Sequence, residues 1–553
     1  VLPQMIALHK SVQGKNLQGY EMRQQRRISI IVVLVSRHSK VVRHQTRRSR
    51  QQLIANLVAG SAKREGTSTM QNKDYALLTD LDQLTMAQGY WACGKVEEQG
   101  CFHIFFRNPP FDGGFAVASG LDHIAEVVEN FKITDENIAY LASLDAPGGG
   151  KLFNPDFLEY LRNLKLSVDI DAVREGTVVF PNDPFVRVIG PVLQCQLLET
   201  QLLNCVNFET LAATKAARIC HVAKTPVAEF GLRRAQGESG GLRASRACIV
   251  GGCASTSNVL AGRMFGLPVS GTHAHAWVMA FDDELEAFRA YAREFPTNCV
   301  LLVDTYDVEQ GLKNATTVGL EMKERGEHLT GVRIDSGDLA WHAKLARKML
   351  DEAGLTDTGV VLSNDLDEFT IKSILDSGAQ VASWGVGTKM VTAYDQPALG
   401  GVYKLAAKRV GTDGEWEPIM KVTGQSSKQT VPGVLNIRRY FHDSGKIAGD
   451  MVYDVNHGIA RERIVDPADE LRQKDLSNKR YITLLEPLAR DGEVVLKQEY
   501  RDALIARDFC REQLELLDES QTRIVNPHSY PVGLEYSLFY RRHELASRLL
   551  GLS

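Results

Sequence analysis

Between residues 298 and 407 the chain repeats one pattern: a short apolar run, a polar tip, then an amphipathic stretch. That alternation predicts strands and helices in turn, the layout of a parallel α/β array. Residues 299–303 run into Asp304, Thr305, Tyr306 and Asp307, and 329–334 run into Asp335, Ser336, Gly337 and Asp338. Residues 359–362 run into Ser363, Asn364 and Asp365, and 381–384 run into Gly385, Val386, Gly387 and Thr388. After Asp338, Trp341, Leu345, Met349 and Ala353 recur at i+4 steps, which predicts a helix covering the sheet, ended by Gly354. Ligands of parallel sheets and barrels sit at the carboxyl ends of strands, so these four tips are expected to converge on one site. Taken singly, Asp338 also reads as a helix N-cap, and Asp365 with Glu368 as a capping box.

Upstream, residues 269–281 pass from a small-residue turn into an apolar run, and the alternation places His273, His275, Trp277 and Met279 on one face of an extended segment. Two imidazoles side by side fit a zinc site, a structural polar pair, or catalysis and phosphate chemistry. A metal needs further ligands, and the scattered cysteines form no C-x-x-C pair. Residues 227–237 again run from strand to loop, where Arg233 and Arg234 offer guanidinium forks to an anion beside the flat ring of Phe230. The pair Gly385 and Gly387 lets backbone N–H groups approach an anion, with Thr388 as a hydroxyl donor. The segment lacks the Walker lysine and the dinucleotide fingerprint.

Composition narrows the class. With 44% hydrophobic and 24% charged side chains over 553 residues, the chain is globular and large enough for two or more domains, or for one α/β barrel with additions. Nine cysteines without framework spacing point to reduced thiols and a cytoplasmic location. No run approaches the ~18 apolar residues of a membrane span. The net charge of −4 hides an asymmetry: residues 1–70 hold 13 Lys/Arg against Glu21 and Glu65, a balance of +11, which leaves −15 for residues 71–553. The basic segment reads as a disordered extension, translated from upstream of a start at Met70, rather than as a targeting signal or a nucleic-acid arm. Its apolar run at 28–35 is followed by Arg37, His38 and Lys40 without a small-residue cleavage site, and it shows no interleaved aromatics.

Several long motifs then occur in order: Leu78-Thr79-Asp80-Leu81, 229–237, 256–262, 271–275, 333–338, 385–388 and 526–532. Together they resemble the nicotinate phosphoribosyltransferase family of NAD salvage over about residues 75–543. The resemblance implies an irregular TIM-like α/β barrel of the type II phosphoribosyltransferases, at 193–409. A second α+β domain would be built from N- and C-terminal segments, 71–192 and 410–553. It implies that nicotinate attacks C1 of phosphoribosyl pyrophosphate to give nicotinate mononucleotide and pyrophosphate, with coupled ATP hydrolysis. Mg2+ would accompany pyrophosphate and ATP without fixed protein ligands, and a homodimer would share its active sites.

By the same resemblance His275 matches a transiently phosphorylated histidine, and His273 falls at a variable position. Arg333 would lie against the pyridine ring or phosphates, Asp335 on the ribose hydroxyls, and Gly385, Gly387 and Thr388 around the 5′-phosphate. Phe230 would stack on the pyridine, with Arg233 the cation nearby. Thr272 shapes the turn presenting His275, and Asp338, Ser363 and Asp365 line the substrate at their strand tips. Ser257 stands where nicotinamide-using relatives carry an aspartate, and a hydroxyl there suits a carboxylate substrate. Asp82 departs from the family's stacking tyrosine, with Tyr90 or Trp91 as substitutes. That departure keeps a catalytically reduced nucleotide-binding relative as an alternative, and nicotinamide phosphoribosyltransferase activity is the rival among enzymes, set against the reading of Ser257.

Overall fold

The computed structural model describes residues 74–423 and 429–552. The basic segment 1–70, with its apolar run, lies outside the described residues. Three large sheets organise the rest. One is wholly parallel, in the order Ser255–Thr256, Val227–Glu229, Ser383–Val386, Gly359–Asn364, Gly331–Ile334, Val300–Leu302. Val332, Ile334, Val360, Leu362, Trp384 and Val386 are buried beneath the helices on its outer face. Because side chains alternate along a strand, the register that pairs Val361 with Arg333 and Ser363 with Gly385 turns Arg333, Ser363 and Gly385 to the opposite, inner face. Ala228, paired with Gly385, turns inward with them, and so does Phe230 two residues on.

The helix Leu339–Glu352 forms where its periodicity predicts, capped by Asp338, and Gly354 follows it at φ +73°. Its buried face differs from the predicted one. Leu339, Ala343, Ala346 and Leu350 face the sheet, while Trp341 is exposed and packs edge-on against His342. Two alanines let this helix approach the strands closely, which a face of Trp, Leu and Met does not. The cap of the next helix, Glu368–Asp376, is likewise Asp367, whose carboxylate accepts the Thr370 N–H at 2.7 Å. Asp365 is therefore not the capping residue.

The 269–281 segment corrects the expectation of one extended strand. Val269 bridges Thr256 in parallel, residues 270–274 belong to neither strand nor helix, and His275–Met279 is a short helix. Among the described residues no strand pairs with the segment beyond Val269 to fix an extended backbone. Trp277 instead donates its indole N–H to Ala287 O at 3.1 Å, on the neighbouring helix Glu284–Glu294. The two histidines consequently diverge. His273 is buried and its Nε2 accepts the backbone N–H of Leu302 at 3.1 Å, joining the segment next to one sheet edge to the strand at the other edge. A side chain thus closes a seam where a ladder bond is absent. Accepting that bond requires a neutral ring, and burial holds the imidazole down at about 4.

A seven-stranded antiparallel sheet interleaves distant sequence, pairing Glu98–Phe105 with both Val402–Val410 and Val186–Pro191, and Asp169–Ala172 with Glu486–Arg490. Phe102, Ile104, Val186 and Val188 form a core with Leu198 and Leu202 at the start of the long helix Glu199–Ala223. Further along that helix, fully buried Lys215 meets Glu368 at 2.8 Å and Arg218 meets it at 2.8 Å, tying the helix to Glu368–Asp376. The third sheet is C-terminal, with Ile447–Asp454 parallel to Val532–Glu535 and antiparallel to Leu435–Phe441.

Candidate active site at the strand tips

Arg333 is the hub of the inner face. Its Nε donates to Ser363 Oγ at 2.7 Å, its Nη1 donates to Thr272 Oγ1 at 2.9 Å, and its Cζ stands 5.4 Å from the centre of the Phe230 ring. Ser363 passes its own hydroxyl proton toward Asp335 Oδ1 at 2.6 Å, and that carboxylate lies 3.5 Å from Arg333 Nη2. Three strand tips and the 269–274 segment are thereby held in one network around a guanidinium. Asn364, beside Ser363, has φ +139°. Such backbone strain is commonly stored at functional tips.

Gly385 has a role that charge-based reading overlooks. A Cβ placed there would lie 2.6 Å and 2.7 Å from the Phe230 ring carbons, so the glycine makes room for that ring. At Gly387 a Cβ would lie 3.1 Å from the carbonyl of Phe230. The glycine pair is thus first a seat for residue 230. Thr388 opens the short turn Thr388–Val391 immediately beyond it.

Phe230 is anchored by a residue not singled out from the sequence. Glu229 is fully buried, and its carboxylate accepts the Ser245 hydroxyl at 2.8 Å, the Thr256 hydroxyl at 2.6 Å and the Gly231 N–H. Ser257 follows Thr256, its N–H donating to Glu229 O at 2.9 Å, which sets its backbone beside the Phe230 tip. A carboxylate between Ala228 and Phe230 at the end of an apolar run was the available signal, because a buried carboxylate needs several donors.

His275 is half-buried, with Nδ1 3.2 Å from Thr305 Oγ1, which leaves Nε2 as the nitrogen for a second partner. Thr305 adjoins Asp304, whose Oδ2 accepts the Asp335 N–H at 2.8 Å and the Ser336 hydroxyl at 2.6 Å. The imidazole is therefore tied through one tip to the residue that holds Asp335. Asp304 Oδ1 is buried without a partner. Among the described residues no three His, Cys, Asp or Glu side chains converge as a metal cage.

Other predicted residues stand apart from this network. Arg233 and Arg234 are exposed in the turn Leu232–Arg234. Asp338 is exposed, its Oδ1 accepting the Trp341 N–H at 3.0 Å as a cap. Asp365 is exposed, its N–H donating to Asn364 Oδ1 at 2.7 Å. Asp82 lies in the first turn of the helix Leu81–Ala92. Lys389, next to Thr388, reaches Asp367 Oδ2 at 2.6 Å, which holds that carboxyl below the usual range against the effect of burial.

Residues 77–207 match the nicotinate phosphoribosyltransferase N-terminal domain, 226–445 the nicotinate phosphoribosyltransferase family, and 436–541 the corresponding C-terminal domain. The chain is 43% identical to a nicotinate phosphoribosyltransferase of Bacillus subtilis, covering 86% of this chain and 96% of that relative. It is 38% identical to the human nicotinate phosphoribosyltransferase, covering 84% and 95%. The crystal structure of human nicotinic acid phosphoribosyltransferase superposes with a TM-score of 0.73 at 32% identity, covering 85% of this chain and all of that one. At 20% identity the nicotinate-nucleotide pyrophosphorylase of Pyrococcus furiosus shares the fold, with a TM-score of 0.61.

Proposed function

The chain belongs to the nicotinate phosphoribosyltransferase family, and from that premise we propose how its strand tips carry the reaction. It joins nicotinate to phosphoribosyl pyrophosphate: the pyridine nitrogen bonds to C1 of the ribose as the C1–O bond to pyrophosphate breaks. In the proposed arrangement Phe230 is the platform for the pyridine and Arg333 meets the nicotinate carboxylate. A ring sandwiched between the two needs about 7 Å, twice a van der Waals layer, whereas their separation is 5.4 Å. Nicotinate arriving on Phe230 therefore moves the guanidinium aside and takes its charge. Asp335, fixed by Ser363 and Asp304, accepts from the ribose hydroxyls, and the backbone beyond Gly385 and Gly387 with Thr388 receives the 5′-phosphate. Ser257, whose backbone N–H is bonded to Glu229 O next to Phe230, would offer a neutral hydroxyl where an aspartate would repel the nicotinate carboxylate.

His275 is the group for ATP coupling. Its Nε2 attacks the terminal phosphate of ATP, a P–N bond forms as ADP leaves, and Thr305 at Nδ1 holds the ring in place. Magnesium would enter with the substrate phosphates and neutralise their charge. Such an ion would keep its waters and bind phosphate oxygens. Asp304 Oδ1, buried without a hydrogen-bond partner, is one carboxylate oxygen near this place that the ion's waters would meet. A homodimer with shared sites in the cytoplasm completes the reading.

The observation that supports it most is Arg333 spanning Thr272 and Ser363 above Phe230, a guanidinium held over a flat ring with Asp335 at its edge. The test is product formation from nicotinate or nicotinamide, with and without ATP, in wild type and His275→Ala. Preference for nicotinate and loss of ATP stimulation in the variant support the assignment. Preference for nicotinamide overturns the Ser257 reading, and undiminished ATP stimulation overturns that of His275.

A further inference from the structure

At the end of the parallel sheet opposite the strand tips, two thiols face each other with 3.9 Å between sulfurs. Cys220 lies in the last turns of the helix Glu199–Ala223, half-buried, in the wall of a cleft of about 1040 Å³. Cys253 is buried behind it, on the loop joining the helix Gly237–Val250 to the strand Ser255–Thr256. That loop rides directly on Cys220. Gly252 has φ +118°, and a Cβ there would lie 3.2 Å from Cys220 Cβ. On its other side Cys253 contacts Met390 Sδ at 3.6 Å. Met390 is wholly buried within the turn Thr388–Val391.

A buried cysteine is commonly just a small apolar side chain. Here an accessible thiol and a buried one stand within a side-chain rotation of each other, the arrangement of an attacking and a resolving cysteine. The cleft before Cys220 is cationic, with Lys224, Lys446, Arg507 and Arg511 against Glu515 and Glu519. Arg507 and Arg511 share Asp508, and Lys446 is held by the carbonyls of Glu515 and Leu517.

We propose that Cys220 and Cys253 form a reversible disulfide through this cleft, oxidised by an anionic low-molecular-weight disulfide, and that the oxidised pair displaces the Thr388 turn. The Cys220 thiolate attacks one sulfur of the small disulfide, whose S–S bond breaks to release one thiolate. Cys253 gives up its proton and attacks Cys220 sulfur, expelling the second thiolate. Two electrons pass from the protein pair to the small molecule, and two protons leave with the two small thiols. Closing the pair to the ~2.05 Å of a disulfide moves sulfur by about 2 Å in total. The Met390 contact at 3.6 Å is lost as Cys253 turns toward Cys220. The functional half rests on the reading of Thr388 as a phosphate contact.

The test uses the full chain, incubated with oxidised glutathione and then with dithiothreitol. Peptide mapping is expected to find Cys220 joined to Cys253, with KM for phosphoribosyl pyrophosphate raised about threefold, within the range by which packed contacts couple neighbouring sites, and restored on reduction. Cys220→Ser is expected to keep basal activity and lose both responses. Cys253→Ser is expected to stop at glutathione on Cys220. Glutathione found only on exposed Cys93, with no cross-link, overturns the proposal. A complete cross-link with unchanged KM overturns the coupling. Thr388→Ala with unchanged KM removes the phosphate reading of the turn and leaves the cross-link standing.

Discussion

Acidification from pH 7 to pH 5 should loosen the barrel at the His273 seam. The Leu302 N–H needs an unprotonated Nε2, and burial holds the folded imidazole at about 4 against an ordinary value of 6.5. In the window between those values the unfolded chain binds a proton that the folded chain refuses, so stability falls as pH falls. At about 1.4 kcal/mol per pH unit, the loss between pH 7 and pH 5 is at most about 2 kcal/mol, and it levels off below the folded value. His103, held at about 3 by burial and bonded to the Leu435 N–H at 3.1 Å, adds a similar slope that continues lower. The two are separated by His273→Gln, whose amide oxygen accepts the same bond without titrating. Urea denaturation of wild type and variant at both pH values is the assay. The variant is expected to lose about 2 kcal/mol of the pH-dependent destabilisation and to retain the part due to His103. An identical fall in both proteins would refute the argument, because it would place the proton uptake elsewhere.

Three further outcomes follow from contacts at the tips. Arg333→Lys leaves a point charge that does not span Ser363 and Thr272, and kcat/KM for nicotinate should fall on the order of 100-fold, read by steady-state kinetics. Gly385→Ala should raise KM for nicotinate before it raises KM for phosphoribosyl pyrophosphate, since its Cβ meets the Phe230 ring; the reverse order would make the glycine a phosphate contact. Glu229→Gln leaves one of three buried donors poorly matched and should cost about 1–3 kcal/mol, seen as a lower Tm.

The repeat of apolar run and polar tip made the parallel array legible, because each strand is short, buried on its helix-covered face and closed by groups that cannot be buried unpaired. Asp335 and Ser363 were accordingly readable as tip residues, whereas Arg333, inside the strand Gly331–Ile334, was picked out only by the family resemblance. What the sequence withheld was register. Nothing in the one-dimensional pattern places Ser363 opposite Gly385, and without that pairing the shared inner face of Arg333, Gly385 and Phe230 is invisible. The glycines were consequently read by what they admit from solution, when their nearest neighbour is a phenylalanine ring. The same limit governs residues 269–281. Alternating side chains describe a strand only where a partner strand holds the backbone extended, and past Val269 no partner is found among the described residues. A helix of five residues then turns His275 toward Thr305, while His273 spends its ring nitrogen on closing the barrel. Two histidines one residue apart thus have unrelated work: one must stay neutral to hold the fold, and the other keeps a nitrogen free at the site.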